Sequence, residues 1–127
     1  TKPLFCSAEG LAILAFQPQA FVDRILSGPL QPRTNNTMTD PAKIRARLET
    51  VRKDGYALED EESEIGMRCV AAPIFDAEGS AVAAVGVAGP SQRLSTHAVA
   101  KFAPQVRDAA ASASLRLGYR VGARSYA

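Results

Sequence analysis

The sequence is poor in the residues that build metal and nucleophilic sites. It has two cysteines, Cys6 and Cys69, and one histidine, His97. No close cysteine pair with ligand spacing occurs, so a structural zinc site is not expected. Charge of one sign is also lacking: 15 basic against 13 acidic residues leave +2, too little to argue for nucleic-acid or membrane binding. No signal peptide and no long apolar run appear, so no membrane partner is expected and the cytoplasm, with both thiols reduced, is the default compartment. No cofactor is expected either. An initiator methionine is absent, which suits a fragment of a longer chain. What remains is ordinary for a globular domain: 127 residues, 46% of them hydrophobic.

The most informative stretch is Met67 to Pro90. Two apolar runs flank Asp76-Ala77-Glu78-Gly79, where Asp76 suits the first position of a type I turn and Gly79 the left-handed position that closes it. A four-residue loop places Phe75 opposite Ser80, Cys69 opposite Gly86, Met67 opposite Ala88 and Ala71 opposite Ala84. A three-residue loop shifts this register by one and breaks the Cys69–Gly86 pair. In the four-residue register, Met67, Cys69, Ala71, Ala84, Gly86 and Ala88 share one face. That face is small. It either leaves a dent for a ligand beneath a helix, or lets the helix pack closely.

Helices are expected around this hairpin. Ser7 caps a buried one reaching Phe16, in which Gly10 marks close approach of a backbone or ligand, or a plain packing contact. Pro18 starts another, with Phe21, Val22, Ile25 and Leu26 inward, ended by Ser27-Gly28-Pro29. Asp40-Pro41 starts a third, with Ile44, Leu48 and Val51 in one stripe and a Glu49–Lys53 pair on its solvated face. Tyr56-Ala57-Leu58 reads as a short strand. The acidic run Glu59, Asp60, Glu61, Glu62, Glu64 reads as a solvated turn, except Glu59, which lies where the concave face begins. Ser95 or Thr96 caps a last helical region to Leu117, divided by Pro104 and bearing the stripe Val106, Ala109, Ala110, Ala113, Leu117. His97 is solvent-facing, and residues 120–127 form a frayed tail after a domain of residues 1–119.

The stretches Leu4-Phe-Cys-Ser-Ala-Glu-Gly10, Thr39-Asp40, Asp54 to Glu62, Gly66-Met-Arg-Cys-Val-Ala-Ala-Pro73 and Gly89 to Ser95, in this order, resemble the effector-binding domain of IclR-type transcriptional regulators. The resemblance spans about Leu4 to Tyr119. It implies an α+β, GAF/profilin-like fold, a mostly antiparallel sheet flanked by helices, whose first strands lie upstream of Thr1. The family's winged helix-turn-helix lies upstream too, so DNA is reached only through that missing domain.

The resemblance also implies a ligand site. A small organic effector, typically a carboxylate, is received by the backbone amides near Ala8 and Glu9. Glu59 hydrogen-bonds it, Cys69 and Met67 line it, and Gly86 and Ala88 stand where some members carry serines. The last two cannot donate side-chain hydrogen bonds, which favours a larger, aromatic effector over a compact polar acid. Glu9 replaces a small or apolar residue and Leu11 a common lysine. Glu9 must face solvent or pair with a base, or the carboxylate reading fails at that end. The function implied is effector sensing in a homodimer or homotetramer. The alternatives are a stand-alone ligand-binding module, a pocketless assembly module and an enzyme with Cys69 as nucleophile. The enzyme needs a base, and His97 is the only histidine.

Overall fold

The computed structural model describes residues 3–120. Ser7, in extended conformation, accepts from the Gly10 amide at 3.0 Å and starts α1 (Ala8–Leu14). The helix is shorter than expected because Phe16 and Gln17 bond three residues back, to Ile13 and Leu14, tightening the end into a turn. Pro18 caps α2 (Gln19–Ser27), which buries Val22 and Leu26. Asp40 Oδ1 accepts from the Ala42 amide and begins α3 (Pro41–Asp54), where Pro41 loses no helical bond. Gly55, at φ +82°, ends it. Ile44, Leu48 and Val51 are buried as their spacing requires. Glu49 pairs with Arg52 rather than Lys53.

Strands β1 (Ala57–Asp60), β2 (Met67–Phe75) and β3 (Ala81–Pro90) form an antiparallel sheet in chain order. One face holds Ala57, Cys69, Ala71, Phe75 and Ala81 against α1, and α3 packs on α1 to complete that core. The other holds Val70 and Ala72 against α4 (Thr96–Ala100) and α5 (Ala103–Arg116). Being covered on both faces, β2 is buried continuously from Cys69 to Pro73. The expected α+β layering holds.

The hairpin register differs from the expectation in two steps that compensate. Asp76 Oδ1 accepts from the Glu78 and Ser80 amides, both at 3.0 Å, while the Gly79 amide donates to Asp76 O. Asp76 and Ser80 therefore pair, and the loop is three residues, not four. Phe75 then faces Ala81 instead of Ser80. A bulge between Ile74 and Phe75 leaves Val82 unpaired and shifts the ladder once more. Cys69 consequently faces Ala88, Ala71 faces Gly86, and Met67 faces Pro90. Two single shifts restore the side-chain alternation, so the six small residues keep their common face.

Ser95 caps α4, and Pro104 falls in the first turn of α5. The face of α5 that packs is Ala103, Val106, Ala110 and Ser114, at spacings of three and four. Ala109 and Leu117 of the expected stripe are exposed. Ser114 belongs there because its hydroxyl accepts from the Phe75 amide at 2.9 Å and donates to Ala110 O at 2.8 Å. The expected tail falls almost entirely on residues 121–127, outside the described residues. No described helix is long and apolar enough to cross a membrane.

Candidate functional site

The site implied by the sequence lies between the start of α1 and the sheet face beneath it. Gly10 fixes the helix there. A Cβ on it would stand 2.6 Å from Leu4 Cα, so the glycine lets the incoming backbone lie directly against the helix. Ser7 Oγ ties that segment down by donating to Pro3 O at 3.2 Å. Ala8 is fully buried, and Glu9 follows it half-buried.

Below α1 the sheet presents residues in rows. Glu59, Cys69 and Ala88 pair across the three strands, and Ala57, Ala71 and Gly86 form the next row. Directly paired residues hold their side chains about 5 Å apart, so Cys69 is the neighbour of both Glu59 and Ala88. Met67, opposite Pro90, lies one row further out. Glu59 and Cys69 are buried, Met67 is half-buried, and Gly86 and Ala88 are exposed on β3. Five of the seven residues singled out in the sequence, Glu59, Met67, Cys69, Gly86 and Ala88, thus share one end of one sheet face, while Ala8 and Glu9 lie on α1.

Glu9 turns inward. The Cys69 thiol donates to Glu9 Oε2 at 3.6 Å. No lysine or arginine among the described residues pairs with Glu9 or Glu59. The condition set for a carboxylate effector, Glu9 in solvent or beside a base, is therefore not met in this arrangement. An anion at the amides of Ala8 and Glu9 would face a carboxylate of like charge.

Glu59 organises the turn that follows it. Its Oε1 accepts from Ser63 Oγ at 3.0 Å, and its Oε2 from the amides of Glu62 at 2.9 Å and Ser63 at 3.5 Å. Glu62 is buried too, held by a bidentate Arg47 whose guanidinium also reaches Leu58 O. Glu61 accepts from the Gly66 amide at 2.8 Å, and Thr34 Oγ1 donates to Glu61 O at 2.7 Å. The acidic run is thus a built turn rather than a solvated one. Neither Arg47 nor Ser63 is singled out in the sequence. Arg47 carries no local signal, since its partner lies fifteen residues on. Ser63 carried one: a serine four residues after a carboxylate can donate back to it.

Two other chemistries can be placed. His97 is exposed on α4, against the opposite face of the sheet from Cys69, so it cannot serve that thiol as a base. Among the described residues no three of His, Cys, Asp and Glu converge as a metal site would require. A cleft of about 610 Å³ lies elsewhere, between α3 and α5, and touches none of the seven residues.

Residues 1–115 match the family described as Bacterial transcriptional regulator IclR C-terminal. The HTH-type transcriptional regulator BhcR of Paracoccus denitrificans is 39% identical over 118 residues, 92% of this chain and 42% of that protein. The crystal structure of Thermotoga maritima IclR is similar with a TM-score of 0.86 and 38% identity, over 91% of this chain and 47% of its own. The C-terminal domain of E. coli KdgR gives 0.82 and 32%, over 92% and 72%. The chain spans less than half the length of the curated relatives it matches. Those relatives are regulators, not enzymes.

Proposed function

The chain belongs to the IclR C-terminal family of bacterial transcriptional regulators, and from that premise we propose that it is the effector-sensing and subunit-assembling part of a DNA-binding regulator. The observation carrying this reading is the Glu59–Cys69–Ala88 row beneath the start of α1, flanked by the small row Ala57–Ala71–Gly86. On this reading the small side chains seat a small organic molecule between helix and sheet. Binding one subunit arrangement better than another would shift the population between them, and with it the spacing of the DNA-binding parts. A homodimer or homotetramer is the assembly such coupling requires. DNA contact belongs to the part of the regulator outside this segment, and the cytoplasm is where that partner is met.

The effector's chemistry follows from Glu9. With its carboxylate beside Cys69 and Glu59 in the same row, the site favours a ligand that brings a hydrogen-bond donor and carries no negative charge toward α1. This replaces the organic acid implied by the resemblance, which fits only with Glu9 rotated outward. A second reading, an assembly domain without a pocket, draws on the saturation of Glu59 by its own turn.

A thermal melt of the full chain against paired amides, amines and carboxylates of the same skeleton tests this. A ligand at about a hundred times its dissociation constant stabilises by roughly 2.7 kcal/mol. Amides or amines should shift the wild type, carboxylates should shift only Glu9→Gln, and Ala88→Leu should abolish both shifts. Carboxylates that stabilise the wild type as well as Glu9→Gln refute the charge argument. The absence of any shift favours the pocketless reading. Ala88 is the better place to block the site than Gly86, where a Cβ would lie 2.7 Å from Val70 O and disturb the sheet itself.

A further inference from the structure

The cleft between α3 and α5 has a built character of its own. It opens where β1 begins, Ala57 opposite Ala71, so the outer edge of β2 beyond that point, Ala72 and Pro73, is flanked by helices instead of a strand. Its aromatic wall consists of three rings. Phe16 meets Phe75 edge-on with centroids 5.2 Å apart, and Tyr119 leans on Phe75 at 5.0 Å. A volume of about 610 Å³ lies within the range of small-molecule sites, roughly 300–1,000 Å³.

The rim carries charge. Arg52 is engaged, donating to Ala15 O at 2.7 Å and pairing with Glu49. Lys53 and Arg107 are different: among the described residues, no carboxylate pairs with either. Arg107 is aimed across the opening, since a Cβ added at Gly55 would lie 3.3 Å from its Nε. The C-terminal end of α3 helps hold the guanidinium there, as the negative pole of a helix favours a cation. Asp54 and Asp108 also line the rim, so with Arg52 held by Glu49 the groups left there are two cations, Lys53 and Arg107, and two carboxylates.

We propose that this cleft is a second ligand site, taking a small planar aromatic anion with its ring against Phe16, Phe75 and Tyr119 and its acidic group on Arg107 and Lys53. Aromatic rings gain from offset or edge contact with other rings, and a guanidinium fork matches a carboxylate bidentately. This site shares no residue with the one under α1 and does not depend on it. The two differ in their cations: no lysine or arginine among the described residues pairs with Glu9 or Glu59 there, whereas Arg107 and Lys53 stand on the rim here. A regulator with both would read two different small molecules.

The test is titration of the full chain with benzoate, followed by calorimetry and amide chemical shifts. Benzamide serves as the uncharged isostere and inorganic phosphate as the ringless anion. Benzoate should bind, with shifts at Gly55, Phe75 and Tyr119. Benzamide and phosphate should each bind at least about tenfold more weakly, since each lacks one of the two recognised features. Arg107→Gln should lose benzoate by a similar factor. Ala111→Trp, which fills the cleft from the exposed side of α5, should abolish binding. Ala88→Leu should leave it unchanged. Arg107 and Ala111 are exposed, so both variants should fold. Undetectable benzoate binding, equal binding of benzamide, unchanged affinity in Arg107→Gln and Ala111→Trp, or shifts confined to Cys69 and Ala88 would each overturn the proposal.

Discussion

Gly10→Ala should destabilise this protein, against the ordinary direction of a glycine-to-alanine change in a helix. In a helix interior alanine is favoured over glycine by about 1 kcal/mol, because it loses less backbone entropy. Position 10 reverses the sign. The new Cβ would lie 2.6 Å from Leu4 Cα, 2.8 Å from Leu4 O and 2.7 Å from Ser7 Oγ. Two of these are backbone atoms that cannot rotate away, and the third is the cap that accepts from the Gly10 amide. Overpacking of this kind costs about 1–3 kcal/mol, and disturbing the cap adds about 1. After the propensity gain is subtracted, a net loss of about 1–3 kcal/mol remains. Urea unfolding should therefore show a lower midpoint at unchanged slope. Ser7→Ala in the same chain separates the two costs. It removes one clash, so the double variant should lose less than the two single losses added together. If Gly10→Ala is as stable as the wild type or more so, the close approach of Leu4 does not exist. The placement of Glu9 would fall with it.

Two further changes probe other joints of the fold. Ser114→Ala leaves the Phe75 amide without its acceptor in a buried position and should cost about 1–3 kcal/mol. Hydrogen exchange at Phe75 should rise with it, and unchanged exchange would contradict the assignment. Arg47→Met strands the buried Glu62 carboxylate and should cost about 2–4 kcal/mol in urea unfolding, whereas Arg47→Met with Glu62→Gln should regain most of that. A single and a double variant of equal stability would mean that the pair is not what holds the acidic turn.

The helices were legible because their signals are local. Ser7, Asp40 and Ser95 each cap a helix through their own side chain, and Gly55 ends one at positive φ. The hairpin was legible in its strands and its face but not in its register. Asp76 and Gly79 carry clear turn chemistry, yet that chemistry suits both a three- and a four-residue loop. The bulge at Val82 has no signature in a run of alanines and valines. The face survived because burial on both sides of β2 tolerates only shifts that preserve alternation. The α5 stripe was misplaced for a related reason. In an alanine-rich helix many rotations bury similar residues, and the decisive one was the hydrogen bond of Ser114 to a strand thirty-nine residues away.

The charge around the start of α1 was the least legible property, and under the proposed function it governs the ligand. Sequence placed Glu9 at the start of a helix, where an acidic side chain ordinarily faces solvent and complements the dipole. Its direction depends on Cys69, sixty residues on, whose thiol donates to it. Glu59 shows the converse. It was singled out as a ligand contact, while its three hydrogen bonds run to Glu62 and Ser63 of its own turn. A carboxylate so held has lone pairs left for a donor but none of the freedom to move toward one. It can recognise a group delivered to a fixed point. Glu9, with one weak partner, keeps its freedom. Under the proposed function, the acid held by three hydrogen bonds sets where the ligand sits, and the one held by a single thiol decides which charge is admitted. That division predicts different signatures: Glu59→Gln should lower affinity for every ligand together and cost stability, and Glu9→Gln should exchange one ligand class for the other at little cost in stability. Indiscriminate weakening by both variants would mean that neither acid selects.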